Sequence, residues 1–429
     1  MNTVLTRPRL AIVGSGISGL TAAYFLQNEF EITIFESESW IGGHTHTVEV
    51  RDESKSVCVD TGFIVFNHWT YPRFIKLLTE LGVPYQPSDM SFSLSCERTG
   101  LEYNGTSINA LFAQRKNLFS GKFWSLLLDI VRFNGKARTL ARAADSSLTM
   151  QEWLAHERFS EHLVDYYLLP LGRSIWSASR SQMLKFPAQF YARFFEKHGF
   201  LNLIDRPIWQ TVQGGSQEYV KALVQKLKAT IQTTCPVIQI ERTAHQAIIT
   251  TKNQQHHSFD AVVIATHSDT ALQLLANPSD AERQILKCFP YEDNHVVLHS
   301  DTSILPKTPL ARGAWNYHLL TDRDGPSTLT YDMNKLQNLQ TSTPFLVTLN
   351  HTSAIDPNLI HAEYNYAHPQ YTPAGVEAQA RHHEISGVQN TFYCGAYWGN
   401  GFHEDGVVSG LTVVDQAKQW KKIHAQRIV

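Results

Sequence analysis

The sequence predicts an α/β fold in which a parallel-sheet domain is interleaved with a second, α+β domain. Three observations carry this expectation. Residues 9–13 (RLAIV) form a short apolar strand that runs directly into Gly14-Ser15-Gly16-Ile17-Ser18-Gly19 and then a stretch of helical composition, LTAAYFLQ. A second strand, EITIF at 31–35, ends on Glu36. Far downstream, GAYWGNGFHEDGVVSG at 395–410 clusters glycines immediately before another helix-like run. Strand, glycine turn, helix, strand and acid, in that order, make a Rossmann-like unit.

Each element has a physical reason. Gly14 permits the tight turn out of the strand, Gly16 lets backbone approach a pyrophosphate, and Gly19 lets helix pack on strand. Ser15, Ile17 and Ser18 fill the turn, whose free N–H groups at the helix start suit phosphate oxygens. Glu36 stands 20 residues after Gly16, placed to accept hydrogen bonds from a ribose, and its charge disfavours a 2′-phosphate. Ser37 follows it, then Gly42-Gly43-His44-Thr45, then Asp60-Thr61-Gly62-Phe63. These further close backbone passes suit a long dinucleotide with a ring at its far end, so FAD is expected rather than NAD.

The bulk numbers agree. A chain of 429 residues is too long for one simple core and fits two domains. With 43% hydrophobic residues, 18% charged residues and a net charge of −2, it has no global attraction to nucleic acid. Cys58, Cys96, Cys235, Cys288 and Cys394 are an odd number without a C-x-x-C pair, which predicts a reduced, cytoplasmic setting. The N-terminus lacks the apolar core of a signal peptide, and no stretch approaches the roughly 18 apolar residues that span a bilayer.

In IGGHTHTV, DTGFIVFN, YPRFIKLLTELGV and GAYWGNGFHEDGVVSG the sequence resembles the flavin-containing amine oxidase superfamily, which includes phytoene desaturases and protoporphyrinogen oxidases. More narrowly, it is similar to bacterial NAD/FAD-binding oxidoreductases whose relatives form the N-terminal domain of plant cyclopropane fatty acid synthases. The resemblance covers nearly the whole chain and implies an amine oxidase-like two-domain architecture. It implies non-covalent FAD, adenine contact through the backbone at Val237, and a pyrophosphate-side turn carrying Thr266. It also implies that His44 lies near the phosphates, so the His44/His46 pair is not expected to bind metal. Relatives place an acid directly after the last strand, facing the ribitol. Here the strand ends Gly395-Ala396, leaving backbone, Glu404 or Asp405 to make that contact.

The order of elements assigns residues 1–75, 205–280 and 385–429 to the FAD-binding domain. Residues 76–204 and 281–384 then form the substrate domain with a helical cap. Residues 107–145 are the most distinctive segment of that cap. Arg115, Lys116, Lys122, Arg132, Lys136, Arg138 and Arg142 outnumber Asp129 and Asp145, with Phe112, Phe119, Trp124 and Leu128 interleaved. Such a stretch reads either as an amphipathic cap with a solvated basic face or as a peripheral contact with the inner membrane face. Thr149 and Glu152 predict a capping box, and LVDYYLLPLGRSIWSAS a helical region broken at Pro170 and Gly172.

In the C-terminal segment, a helix beginning around Gly406 is expected to point its positive N-terminal end at the flavin, with Asp405 as N-cap and Gly406 and Val407 beside the ring. His403 is then the candidate for proton transfer, and Tyr397 and Trp398 for an aromatic cage. The expected reaction is redox chemistry on a lipid acyl chain. The alternatives are amine oxidation, with Lys335 as the lysine near the flavin, and presentation of lipid to a partner methyltransferase without turnover.

Overall fold

The computed structural model describes residues 7–53, 55–144, 147–202 and 204–425. Residues 1–6, on which the signal-peptide reading partly rests, and Asp145 of the basic segment lie outside the described residues. After its exposed first residue, strand Arg9–Val13 is apolar because it is covered on both faces; Leu10, Ala11 and Ile12 have no exposed surface. It pairs in parallel with Glu31–Phe35 on one side and Ala261–Ile264 on the other. Ala229–Gln232 and Thr391–Tyr393 complete a 5-stranded parallel sheet whose strands come from both ends and the middle of the chain.

Helix Ile17–Leu26 and the C-terminal helix His403–Ala425 lie together against this sheet, sharing a core that includes Leu20, Ala23, Leu26, Val413, Val414 and Trp420. Each of the larger of these side chains, such as Leu20, Leu26 and Val413, contributes about 1.5–3 kcal/mol when fully buried. Small residues set the approach of the two helices. A Cβ at Gly410 would stand 2.6 Å from the Ser18 carbonyl oxygen, and one at Gly406 2.6 Å from Ile17 Cγ2. Gly406 and Gly410 therefore serve helix packing rather than the approach of backbone to a ring, which corrects the sequence reading. Gly19 does what its spacing predicts, since a Cβ there would lie 2.2 Å from the Gly14 carbonyl oxygen.

A 7-stranded sheet forms the second domain from Phe92–Cys96, Glu102–Asn104 and five strands between Tyr291 and Pro369. Helices Gly121–Arg142 and Ala188–Lys197 belong to its helical layer, around a core rich in Phe133, Trp153, Trp176, Tyr191 and Phe195. A small antiparallel sheet of Val65–Asn67, Trp209–Val212 and Tyr85–Pro87 lies where the chain crosses between domains. The capping box at Thr149 and Glu152 is formed.

Three local expectations are corrected. The domain boundary at residue 75 falls inside helix Pro72–Leu81, whose Phe74, Leu77 and Leu78 join the core of the parallel-sheet domain. The helix expected to break at Pro170 and Gly172 instead runs from Leu169 to Trp176. A π-helical turn, Val164–Leu168, precedes it and leaves Pro170 in the first turn, where no N–H is required. The C-terminal helix starts at His403, so Asp405 lies inside the first turn rather than at the N-cap; its carboxylate reaches back to accept from Phe402 N at 2.9 Å.

Candidate functional site

One cavity of about 540 Å³ runs from the glycine turn at Gly14–Ser18 to the aromatic wall of the second sheet. Its phosphate-side floor is built from glycine backbone. Gly16 and Gly42 form an isolated parallel bridge, and a Cβ on Gly43 would stand 3.1 Å from Gly16 Cα. No atom lies within 4 Å of where a Gly16 Cβ would project, so room opens directly above that backbone. The distant motif GGH is thereby laid against GxGxxG, a contact that sequence spacing did not specify.

Glu36 stands at the rim. One carboxylate oxygen accepts from Ser15 N at 2.9 Å and Ser15 Oγ at 2.5 Å, the other from Glu38 N at 2.9 Å and Ser37 Oγ at 3.2 Å. The two backbone donors fix the carboxylate, and the two hydroxyls can rotate away to leave lone pairs for ribose. Val237 and Thr266 line the same cavity, as do Gly62, Phe63 and Gly395. Gly62 must be glycine because its Cβ would lie 2.2 Å from the His44 carbonyl oxygen. His44 also lines the cavity, with its Nε2 buried and without a protein partner. Open space over glycine backbone, a carboxylate with displaceable partners and an aromatic chamber beyond fit an extended flavin dinucleotide.

At the C-terminal side, Gly395, Ala396, Tyr397 and the stretch Asn400–His403 face this cavity, opposite Gly14–Ser18. The His403 ring stacks on Phe63, with centroids 3.7 Å apart and planes 7° apart, and meets Phe74 edge-on. Its Nε2 is 2.6 Å from Tyr219 Oη. Burial pushes the imidazole down to about 3, so the wall carries a neutral histidine.

Several expected contacts lie elsewhere. Thr45 is sealed behind the wall, its Oγ1 2.5 Å from Tyr219 Oη and 3.3 Å from His403 Nε2. Thr61 is buried between the His46 carbonyl and the Tyr366 hydroxyl. Gly19 is used in helix packing, while Gly406 meets Ile17 and Val407 joins the core under the helix. Trp398 packs on Phe289 and His382 outside the lining, whereas Tyr397 remains in the wall. Neither acid of the C-terminal segment is free for a ribitol. Both Glu404 oxygens cap helix Pro72–Leu81, accepting from Arg73 N and Phe74 N at 2.9 Å each, and Asp405 serves its own helix. Of the groups weighed for that contact, the backbone at 395–396 is the one that faces the cavity.

Lys335 is also displaced from the role considered for it. Its ammonium donates to the carbonyls of Arg312 and Gly313 and pairs with Asp332 at 3.2 Å. No lysine lines the cavity among the described residues. Cys394 lies behind the wall, fully buried, with its thiol pushed up to about 12. His46 bonds the Tyr366 hydroxyl and stacks on Trp40, and no cluster suited to a metal ion occurs among the described residues.

Residues that the sequence reading missed make up much of the rest. His267 and His368 lie with their ring centroids 5.9 and 5.5 Å from that of His44. Desolvation holds all three imidazoles low, with His368 at about 4. His267 directly follows Thr266 and was within reach of the motif; His368 arrives from the second sheet with no local signal. The far wall of the cavity is Met90, Ile175, Trp176, Phe194, Trp315 and Tyr331, brought together from separate elements.

A family model described as flavin containing amine oxidoreductase matches residues 17–297. The chain belongs to this flavin-containing amine oxidoreductase family. It is accordingly an FAD-dependent oxidoreductase, and the glycine-floored end of the cavity has the chemistry to hold that cofactor. Among curated relatives, tryptophan 2-monooxygenase of Allorhizobium ampelinum is 35% identical over 108 residues, which are 24% of this chain and 14% of the relative. Mitochondrial protoporphyrinogen oxidase of Nicotiana tabacum is 27% identical over 173 residues, 38% of this chain and 31% of the relative. The matched part thus spans less than a third of either relative. Solved structures share the fold along nearly the whole chain. Cyclohexylamine oxidase from Brevibacterium oxydans superimposes with a TM-score of 0.68 at 16% identity, covering 97% of this chain and 100% of that one. A CLA-producing fatty acid isomerase from P. acnes does so with a TM-score of 0.67 at 15% identity, covering 96% and 98%. No helix among the described residues is long and apolar enough to cross a membrane.

Proposed function

We propose that this flavoprotein acts on a hydrophobic substrate, an acyl chain carried by a phospholipid or related lipid, in a dehydrogenation, saturation or isomerisation. The observation that carries this reading is the chemistry of the cavity's far wall. Met90, Ile175, Trp176, Phe194, Trp315 and Tyr331 offer apolar and aromatic surface, and Glu36, at the ribose end, is the one carboxylate among the described lining residues. An ammonium group would find no counter-ion beside the flavin end, whereas a hydrocarbon chain loses nothing by desolvation there.

FAD, when bound, supplies the acceptor or donor of hydride equivalents. The chain's own residues enclose the reacting carbons. The aromatic wall excludes water, and stacking on Phe63 with the Tyr219 hydrogen bond holds His403 in one orientation, uncharged. Phe200 and Trp209 line the cavity, and Ile204 and Ile208, between them in sequence, are exposed to solvent.

The test is anaerobic bleaching of the flavin absorbance. Bleaching by unsaturated phospholipid or fatty acid, and not by amines, supports the proposal. The family match itself favours a second reading, amine oxidation, and bleaching by amines alone would establish it instead. Tight lipid binding without bleaching would assign a presenting role beside a separate methyltransferase.

A further inference from the structure

The basic, aromatic segment expected between residues 107 and 145 buries only one side of its apolar surface: Phe112, Phe123, Leu126 and Phe133 join the core, while other apolar side chains face solvent. Phe119 is 90% exposed, Ile108 80%, Leu128 70% and Trp124 47%. They form one surface. Trp124, Leu128 and the exposed Val131 recur at i, i+4 and i+7 along helix Gly121–Arg142, while the Trp124 indole donates to the Leu118 carbonyl at 2.9 Å. Leu118 and Phe119 stand on the 3₁₀ turn Arg115–Phe119 just before that helix. Arg115 ties this turn to the short helix Ile108–Leu111 through the carbonyls of Asn109 and Phe112. Contiguous exposed apolar surface of this kind marks an interaction site rather than ordinary surface.

The charges around it have one sign. From Tyr103 to Leu128 there is no aspartate or glutamate. Among the described residues Arg115, Lys116 and Lys122 pair with no carboxylate, Arg115 bonding only neutral oxygens of Asn109 and Phe112. Most acids on neighbouring elements are already engaged, exposed Glu161 on the short helix Glu161–Leu163 being the exception. Asp129 pairs with Arg132, Glu157 with Lys136, and buried Glu102 accepts from the backbone of Lys307 and Thr308. Aromatic and aliphatic side chains flanked by unpaired cations match the interface of an anionic bilayer. Farther along the same helix, Arg138 donates to the Leu201 carbonyl and to Asn202, anchoring the segment that lines the cavity through Phe200.

We propose that the surface formed by Ile108, Leu118, Phe119, Trp124 and Leu128, with Arg115, Lys116 and Lys122, docks the protein on anionic phospholipid bilayers. This rests on the reading that the substrate is a lipid, and it supplies the route by which such a substrate is met. No transmembrane segment is needed, because apolar side chains inserted at the headgroup boundary and the attraction of nearby cations to anionic lipid add to give reversible attachment.

The experiment is co-sedimentation of the FAD-loaded full chain with vesicles of phosphatidylcholine alone and of phosphatidylcholine mixed with phosphatidylglycerol. Binding is expected on the mixed vesicles, weaker on the neutral ones and reduced by salt. F119S/L128S and K116E/K122E are each expected to lower it roughly tenfold or more. V388S, at an exposed apolar residue elsewhere, leaves it unchanged, and the flavin spectrum with the melting temperature verifies that each variant is folded. Absence of binding by the parent protein, or equal binding by the variants, overturns the proposal. So does a parent oligomer that F119S/L128S converts to monomer, because a second copy would then be the occupant. Vesicle binding without flavin bleaching would sink the lipid redox reading alone, and bleaching by detergent-dispersed lipid without vesicle binding would sink this one alone.

Discussion

Gly410 faces the carbonyl oxygen of Ser18 so closely that a Cβ would stand 2.6 Å from it. The contact joins the last helix to the first, across nearly the whole chain, and it sits directly under the glycine turn. The obstacle is backbone, which cannot swing aside. Gly410→Ala is therefore expected to destabilise the protein by about 1–3 kcal/mol and to weaken FAD binding, because relief requires the first helix to move. Gly406→Ala meets only the Ile17 side chain and should cost less. Urea unfolding of both variants, with FAD titrations on the apoproteins, checks the order.

Glu36 is held by two backbone N–H groups and releases two hydroxyls when a ribose arrives. Removing it in Glu36→Ala deletes charge-assisted hydrogen bonds worth about 1.5–3 kcal/mol, so the dissociation constant for FAD should rise roughly 10- to 100-fold. Flavin fluorescence quenching measures it. An unchanged constant would remove Glu36 from the ribose site.

Lys335 is engaged with two carbonyls and Asp332 away from the cavity. Lys335→Met should leave the rate of flavin reduction by substrate within about twofold, at the cost of the modest stability that an ion pair of this kind supplies. A drop of orders of magnitude in stopped-flow reduction would place this lysine at the flavin after all.

Stability should fall on acidification. Burial depresses His403 and His318 to about 3 and His198, His299 and His368 to about 4. A base depressed in the folded state stabilises fully above its unfolded value near 6.5, and each loses about 1.4 kcal/mol per pH unit below it until the folded value is reached. Asp60 and Asp405, raised by burial to about 6, act in the opposite sense: their contribution is full below about 4 and lost as pH rises to 6. Five histidines outweigh two aspartates, so urea midpoints of the apoprotein should drop steadily from pH 7 to pH 5. A midpoint that rises over this range would refute the balance.

The His403–Tyr219 pair sets a final expectation. With the imidazole at about 3, no ionisation of His403 enters a pH–rate profile between pH 5 and 9. Tyr219→Phe removes the partner at 2.6 Å while keeping the ring. It should change the rate of flavin reduction without moving the limbs of the profile, whereas a shifted acidic limb would show His403 titrating in catalysis.

What the sequence determined alone is the set of features whose physics is local. Gly14–Gly19, the apolar strand before it and Glu36 at the end of the next strand form one βαβ unit, in which each residue's role follows from backbone geometry a few residues away. The capping box at Thr149 and the run of cations from Arg115 to Lys122 were legible for the same reason. Tertiary structure alone decided what depends on packing between distant segments. The glycines at 406 and 410 read equally well as an approach to a ring or to a helix, and only the position of Ile17 and Ser18 selects the helix. Glu404, Thr45 and Trp398 carry chemistry suited to a flavin site, yet Arg73, Tyr219 and His382, which come from elsewhere in the chain, take them out of it. A side chain's partners are fixed by which surfaces the core brings together, and that information is spread over the whole chain rather than written beside the residue.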